Sequence, residues 1–173
     1  MKTIHLSILL LFIASASASA KTPWESYLTL PIPERASDVV EIEYSPEAVT
    51  ENAGDRERDL RILRDQVLAC DRESFKLAYR LVENAGDGLR ENLISILSLT
   101  VRTHPEFFLK EMSKLNPDQD VLRSILTASG SEYNDRKYAR RYELYMRRIA
   151  LTDVSNFNLK DFRDTCLELI EIY

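Results

Sequence analysis

From Arg56 onward, apolar residues recur every three or four positions, the spacing of one face of an α-helix. The first stripes are Leu60, Leu63, Val67 and Cys70; Phe75, Ala78, Tyr79 and Val82; and Leu89, Leu93, Ile96, Leu97 and Val101. The third also carries Ile94 and Leu99 on its flanks. Its helix is therefore apolar almost all round, and we predict that it lies at the centre of the fold.

Four more helices are predicted beyond residue 104. Pro105 and Pro117 stand where first-turn prolines belong, and Gly130 is expected to end the second of these helices. A third carries the stripe Tyr138, Tyr142, Tyr145, Met146 and Ile149, and its tyrosines and arginines are expected to form an exposed surface if the protein is a binding module. The last, opened by Asn158, carries Phe162, Cys166, Leu169, Ile170 and Tyr173. We therefore predict an all-α domain of about seven short helices over residues 56–173.

The sequence Glu-Asn-Ala-Gly-Asp at residues 51–55 recurs unchanged at residues 83–87. Glycine suits a helix end and aspartate suits the cap of the next helix, so each copy is interpreted as the same break between helices. Convergence on good caps is the alternative. A true repeat predicts helical hairpins, and residues 51–130 then resemble, in architecture only, a short superhelix of the HEAT or tetratricopeptide kind. A compact bundle or short closed superhelix is favoured over an open one, because a disulfide between Cys70 and Cys166 requires the first and last helices to lie close together.

The first twenty residues have the pattern of a secretory signal peptide. Lys2 precedes an apolar run from Ile4 to Ala14, and small residues follow as far as Ala20. The run is too short for a permanent membrane anchor, and no later segment is long and apolar enough for one. We expect cleavage near Ala20, export to the periplasm or the medium, and no transmembrane segment afterwards. The lack of an Asn-x-Ser/Thr site fits a bacterial periplasm.

Residues 21–55 are predicted to form an extended acidic arm. Its four prolines oppose long helices, and only Val40, Ile42 and Tyr44 alternate as a short strand would. Its carboxylates include Asp38, Glu41, Glu43, Glu47 and Glu51. We expect the arm to lie over the helices, with binding to another protein as the alternative.

Cys70 and Cys166 are the two cysteines of the chain. In an oxidising compartment such a pair usually bonds, so a disulfide is predicted between them. Two buried free thiols are the alternative. A metal or redox site is not expected, because the chain has no Cys-x-x-Cys motif and only one histidine, His104, beyond the signal peptide.

The candidate binding surface is a basic face on the helix that follows Asp135. Six basic residues accumulate there against only Glu143 between them: Arg136, Lys137, Arg140, Arg141, Arg147 and Arg148. The first interpretation is a solvated surface screened by salt. The second is a site for an acidic protein partner, since arginine pairs carboxylates bidentately. The third is neutralisation by the arm, by a second copy in a homodimer, or by the last helix through Asp161, Asp164, Glu168 and Glu171.

Enzyme chemistry leaves no clear pattern in this chain. No nucleophile elbow, zinc motif or glycine-rich phosphate loop is present, and we expect no cofactor and no metal. An acidic exported chain without a binding motif is also not expected to bind nucleic acid. We therefore predict a non-catalytic protein-binding module of the bacterial cell envelope, such as an inhibitor, an immunity protein or an envelope-assembly factor. The alternative is a hydrolase of envelope polymers that uses Glu106 and Glu111 near His104.

Overall fold

The computed structural model describes residues 53–128 and 137–170, with side chains from residue 56 onward. These residues form seven α-helices and one 3₁₀ turn, and no strand. The helices are α1 (Ala53–Leu68), α2 (Arg72–Asn84), α3 (Asp87–Thr103), α4 (Pro105–Leu115), α5 (Gln119–Thr127), α6 (Lys137–Thr152) and α7 (Lys160–Leu169), with the 3₁₀ turn at Phe157–Leu159. The predicted all-α fold is confirmed. The signal peptide, the arm and Gly130 lie outside the described residues.

Helix α3 is the centre of the packing, as its sequence predicts. It contacts α1, α2, α4, α5 and α6. Its buried apolar residues lie on one broad side of the helix: Leu89, Leu93, Ile96, Leu97 and Val101. The opposite side is exposed and includes Leu99, which is 38% exposed, so the helix is central without being buried all round.

The other contacts follow the order of stacked helical hairpins. Helices two apart along the chain pack together throughout: α1 on α3, α3 on α5 and α5 on α7, and in the same way α2 on α4 and α4 on α6. This is the stacking pattern of a short helical superhelix. Two further contacts, of α3 with α6 and of α4 with α7, join helices three apart along the chain. The first brings the sixth helix onto the central one and so fixes the position of the basic helix.

Two helix starts show how local chemistry sets the boundaries. Pro105 is the first residue of α4, as predicted, and His104 precedes it. Pro117, in contrast, does not begin α5. Asn116 adopts a left-handed conformation that ends α4, and the Asp118 side chain then accepts hydrogen bonds from two backbone N–H groups of the next turn, which makes it the N-cap of α5.

The two Glu-Asn-Ala-Gly-Asp copies fold differently, so the repeat does not mark the same structural break twice. In the first copy, Ala53, Gly54 and Asp55 already belong to the start of α1. In the second, Asn84 ends α2 and Gly86 precedes α3 in an extended conformation. Neither conformation requires a glycine. The hairpins arise from the apolar stripes of the helices and not from this motif.

The predicted disulfide is not formed, and both thiols are free. Cys70 follows α1, which packs on α2 and α3, whereas Cys166 lies in α7, which packs on α4, α5, α6 and the 3₁₀ turn. The stacked arrangement thus places the cysteines in different parts of the fold. Burial raises the pKa of the Cys166 thiol to about 12 and also raises that of Cys70. Both therefore stay protonated and weakly nucleophilic at neutral pH.

Cys70 has a structural role of its own at the end of α1. It adopts a left-handed conformation with φ of 61°. The Asp71 N–H donates to the Gln66 carbonyl (3.1 Å) and the Cys70 N–H to the Val67 carbonyl (3.0 Å), which is the Schellman pattern of helix termination. Glycine is favoured at this position because any Cβ strains the left-handed conformation.

We expect Cys70→Gly to raise the free energy of unfolding by about 1 kcal/mol, because it removes this strain. Cys70→Ser should leave the melting temperature nearly unchanged, with or without reductant, because no disulfide is lost. Thermal unfolding measured by circular dichroism checks both variants. Asn116→Gly is the control, since asparagine tolerates the left-handed region better and should gain less. A large loss of stability in Cys70→Ser that disappears on adding reductant would contradict the free-thiol arrangement.

Candidate partner-binding face

Helix α6 faces the core with a side that the sequence does not single out. The side chains of Arg147 and Leu151 are buried, and Leu144 packs partly against the core. The tyrosines of the predicted stripe lie in solvent. Tyr138, Tyr142 and Tyr145 are 89%, 60% and 52% exposed. Met146 and Ile149 of the same stripe are half-buried, so the side of the helix that faces the core is the one with Leu144, Arg147 and Leu151.

Helical geometry explains why the sequence of α6 is compatible with two orientations of this helix relative to the core. Tyr138, Tyr142 and Tyr145 are spaced by four and three, and Leu144, Arg147 and Leu151 by three and four, so each set forms one stripe. At about 100° per residue, the two stripes lie on nearly opposite sides of the helix. Packing on α3 and α5 selects the leucine stripe. The tyrosines are then left on the side away from the core.

Arg147 attaches α6 to α5. Its side chain is 3% exposed. Its guanidinium donates to the Leu126 carbonyl at 3.0 Å and to the Ile125 carbonyl at 3.5 Å, both in the last turn of α5. Its Nε lies 3.2 Å from Glu143 Oε1. A cation is favoured at the C-terminal end of a helix, where backbone carbonyls lack helical partners.

Arg148 attaches α6 to α7 in a similar way. Its Nη1 donates to the Leu167 carbonyl at 2.6 Å and to the Ile170 carbonyl at 3.2 Å, at the C-terminal end of α7. Two of the six basic residues of the candidate face are thus engaged in holding three helices together. Arg136 lies outside the described residues.

The remaining three, Lys137, Arg140 and Arg141, are exposed on the first two turns of α6. In the part of the chain that the structure describes, none of them forms an ion pair or a side-chain hydrogen bond. We call these three residues, together with the three exposed tyrosines, the outer face of α6. At about 100° per residue, the six side chains span about 200° of the helix circumference, with Arg141 next to the tyrosine stripe and Arg140 farthest from it, on the same side as Arg147.

The nearest acidic side chains do not neutralise the outer face. Glu143, the only acidic residue of α6, lies 2.6 Å from Arg102 Nη1 of α3 and also pairs with Arg147. On α7, Asp164 pairs with Arg163. Among the described residues, neither Asp161 nor Glu168 forms an ion pair with α6, and Glu171 is not described. Neutralisation by the last helix, one of the three interpretations, does not occur through these residues.

The residues of the hydrolase alternative are held by other partners. Glu106 accepts a hydrogen bond from Asn156 at 2.9 Å. Glu111 is nearly buried, with its carboxylate 2.8 Å from Lys114 Nζ and 3.4 Å from Arg72 Nε. Within residues 53–128 and 137–170, no hydrogen bond or ion pair joins His104 to either carboxylate. The same residues contain no group of three or more His, Cys, Asp or Glu side chains that could hold a metal ion.

Comparisons with protein-family models, with curated proteins and with solved structures give no match to this chain. Among the helices described, none has the length and apolar character required to cross a membrane. The outer face of α6 is therefore the feature of this chain that bears on its function.

Proposed function

We propose that this protein is a non-catalytic binding module that recognises an acidic protein through the outer face of α6. The observation that supports the proposal most directly is the set of three exposed cations, Lys137, Arg140 and Arg141, without ion pairs in the described structure, beside three exposed tyrosines. Scattered exposed tyrosines are common on protein surfaces. Three of them in one stripe beside unpaired cations are the composition of a recognition surface.

The residue types suit this role for separate reasons. The arginine guanidinium presents a planar set of donors that can bind both oxygens of a carboxylate. Tyrosine provides a large rigid contact area with few rotatable bonds, so little side-chain entropy is lost when a partner binds. Arginine and tyrosine are both enriched among the residues that contribute most to binding energy at protein interfaces.

Electrostatic repulsion within the helix also favours a negatively charged partner. Lys137 lies three and four residues before Arg140 and Arg141, so both pairs are neighbours on the helix surface. Like charges at these spacings destabilise a helix by a few tenths of a kcal/mol per pair. A partner that supplies carboxylates removes this repulsion and gains from attraction during encounter.

The proposal includes export and periplasmic location, supported by the signal-peptide pattern at the N-terminus. In that compartment, the module would act as an inhibitor or immunity protein that covers an acidic surface of its target, or as an envelope-assembly factor. Each role requires only a stable scaffold and a complementary charged face.

The test is capture of the partner by immobilised protein at low and high salt. Arg140→Glu with Arg141→Glu should abolish capture while leaving the helical signal and the melting temperature nearly unchanged, because both side chains are exposed and unpaired. Tyr138→Ser with Tyr142→Ser should weaken it at every salt concentration. Mass spectrometry of the captured protein identifies it, and a protein of low isoelectric point is expected.

The matched control is Lys110→Glu with Arg123→Glu. These two exposed cations, on α4 and α5, change the net charge by the same amount away from α6. The control should bind like the unmodified protein. If the control and the Arg140/Arg141 variant lose capture equally, net charge and not the outer face governs binding. If the Arg140/Arg141 variant retains full capture, the proposal is wrong.

A further inference from the structure

One acidic segment of the chain is complementary to the outer face. Residues 38–51 contain the five carboxylates Asp38, Glu41, Glu43, Glu47 and Glu51, and no lysine or arginine. They also contain apolar and aromatic residues, among them Ile42 and Tyr44. The composition of this segment matches what the outer face is proposed to recognise: carboxylates for its cations and apolar groups for its tyrosines.

We propose that the acidic segment 38–51 binds the outer face of α6 in the same molecule when no partner is present, and that the partner must displace it. This inference rests on the proposed function, because the segment and the partner use the same cations and rings. The structure supports it by elimination, since the acidic residues described on α6 and α7 do not form ion pairs with Lys137, Arg140 or Arg141. Self-binding would make the free protein a weaker competitor for other acidic surfaces.

The first part of the segment is far enough from α1 along the chain to reach α6. Asp38 precedes Ala53, the first residue of α1, by 53 − 38 = 15 residues. Fifteen residues span at most about 50 Å when extended. A domain of about 115 residues has a radius of gyration of about 13 Å. Asp38, Glu41 and Glu43 can therefore extend across the domain, whereas Glu47 stays within about 20 Å of the start of α1.

Weak contacts are sufficient to hold the acidic segment on the outer face, because both belong to the same chain. Each exposed ion pair contributes little alone and is screened by salt. A segment that belongs to the same chain as its binding site is nevertheless present at an effective concentration that can reach the millimolar range. Several weak pairs together can then keep the face occupied, and the occupancy should fall steeply as the salt concentration rises.

The first test is zero-length carbodiimide cross-linking of the purified protein, which joins a lysine amine to a carboxylate in direct contact. At low salt, peptides that join Lys137 to residues 38–51 should be abundant in the monomer fraction. They should be lost in about 1 M salt, where the screening length is about 3 Å. They should also be lost in the variant with Arg140→Glu and Arg141→Glu. Lys160, exposed at the start of α7, is the matched control and should give few such peptides.

Three results would overturn the inference. The first is that Lys137 forms no more cross-links to the segment than Lys160 does. The second is that the cross-links occur only in a covalent dimer, which would assign the contact to a second copy. The third is that Glu132, five residues before Lys137 in the sequence, is its main cross-linked partner.

A second measurement separates this inference from the proposed function. The triple variant Glu41→Gln, Glu43→Gln and Glu47→Gln should bind the captured partner about tenfold more tightly, because less of the face is occupied. Unchanged affinity, with capture still lost in the Arg140/Arg141 variant, rejects self-binding and leaves the proposed function intact. Cross-links to Lys137 without capture by either the unmodified protein or the triple variant support self-binding and reject the proposed function.

Discussion

Arg147→Ala is expected to lower the free energy of unfolding by about 3 kcal/mol. The substitution removes a buried cation that bridges Glu143 and two carbonyls at the end of α5. Breaking a buried ion pair from one side typically costs about 3–5 kcal/mol, because the remaining charge loses its partner. Glu143 keeps Arg102 as a second partner, which places the expected value at the lower end. Urea unfolding followed by circular dichroism measures the change.

The control for Arg147 is another arginine of the same helix. Arg140→Ala removes an exposed side chain that has no ion pair in the described structure, so its effect should stay within about 0.5 kcal/mol. Arg147→Lys should fall between the two, because lysine keeps the charge but lacks the planar set of donors. Equal unfolding midpoints for Arg147→Ala and Arg140→Ala would show that the contacts of Arg147 contribute little to stability.

Phe75→Ala is expected to destabilise the protein by about 4 kcal/mol. Phe75 on α2 is fully buried, and its ring packs edge-on against two rings of α4. The centroids are 5.4 Å from Phe107 and 6.3 Å from Phe108, with interplanar angles of 80° and 76°. Alanine removes both ring contacts and leaves a cavity between the helices. The free energy of unfolding from urea titration checks the value.

Phe157 provides the comparison for Phe75. It is the same residue type in the 3₁₀ turn and is 83% exposed. Phe157→Ala should change stability by no more than about 0.5 kcal/mol. A loss comparable to that of Phe75→Ala would mean that Phe157 is covered by a part of the chain outside the described residues.

The helices and the central position of α3 could be predicted because apolar periodicity is a local property. The stripe from Leu89 to Val101 requires burial of one broad side of the helix, whatever its neighbours are. The N-cap of α5 could also have been found. Asp118 is a preferred capping residue and stands three residues before Val121, where the apolar run begins, but Pro117 is interpreted as the first helical residue, two positions before the observed start.

The orientation of α6 could not be derived from periodicity alone, because its sequence carries two opposed stripes. One signal was available: leucine is buried more often than tyrosine, which favours the stripe of Leu144 and Leu151. The burial of Arg147 was harder to foresee. It depends on acceptors at the end of α5, which only the tertiary arrangement provides.

The cysteine pairing failed for a related reason. Cys70 and Cys166 are separated by 166 − 70 = 96 positions, and their proximity depends on how hairpins stack between them. Compartment and cysteine number favour a disulfide, yet they carry no information about distance. The stack places one thiol after α1 and the other in α7.

The anchoring residues and the outer face occupy different parts of α6, and this separation affects how such a protein can diversify in sequence. The anchoring arginines occupy the second half of the helix, and the outer face occupies its beginning, with Tyr145 as the last of its residues. Substitutions at Lys137, Tyr138 or Arg141 therefore alter the proposed recognition surface without disturbing the attachment of the helix. A scaffold of this kind can acquire a new specificity through single substitutions, each of which changes the stability of the fold very little. Related chains are therefore expected to vary most in the first two turns of this helix.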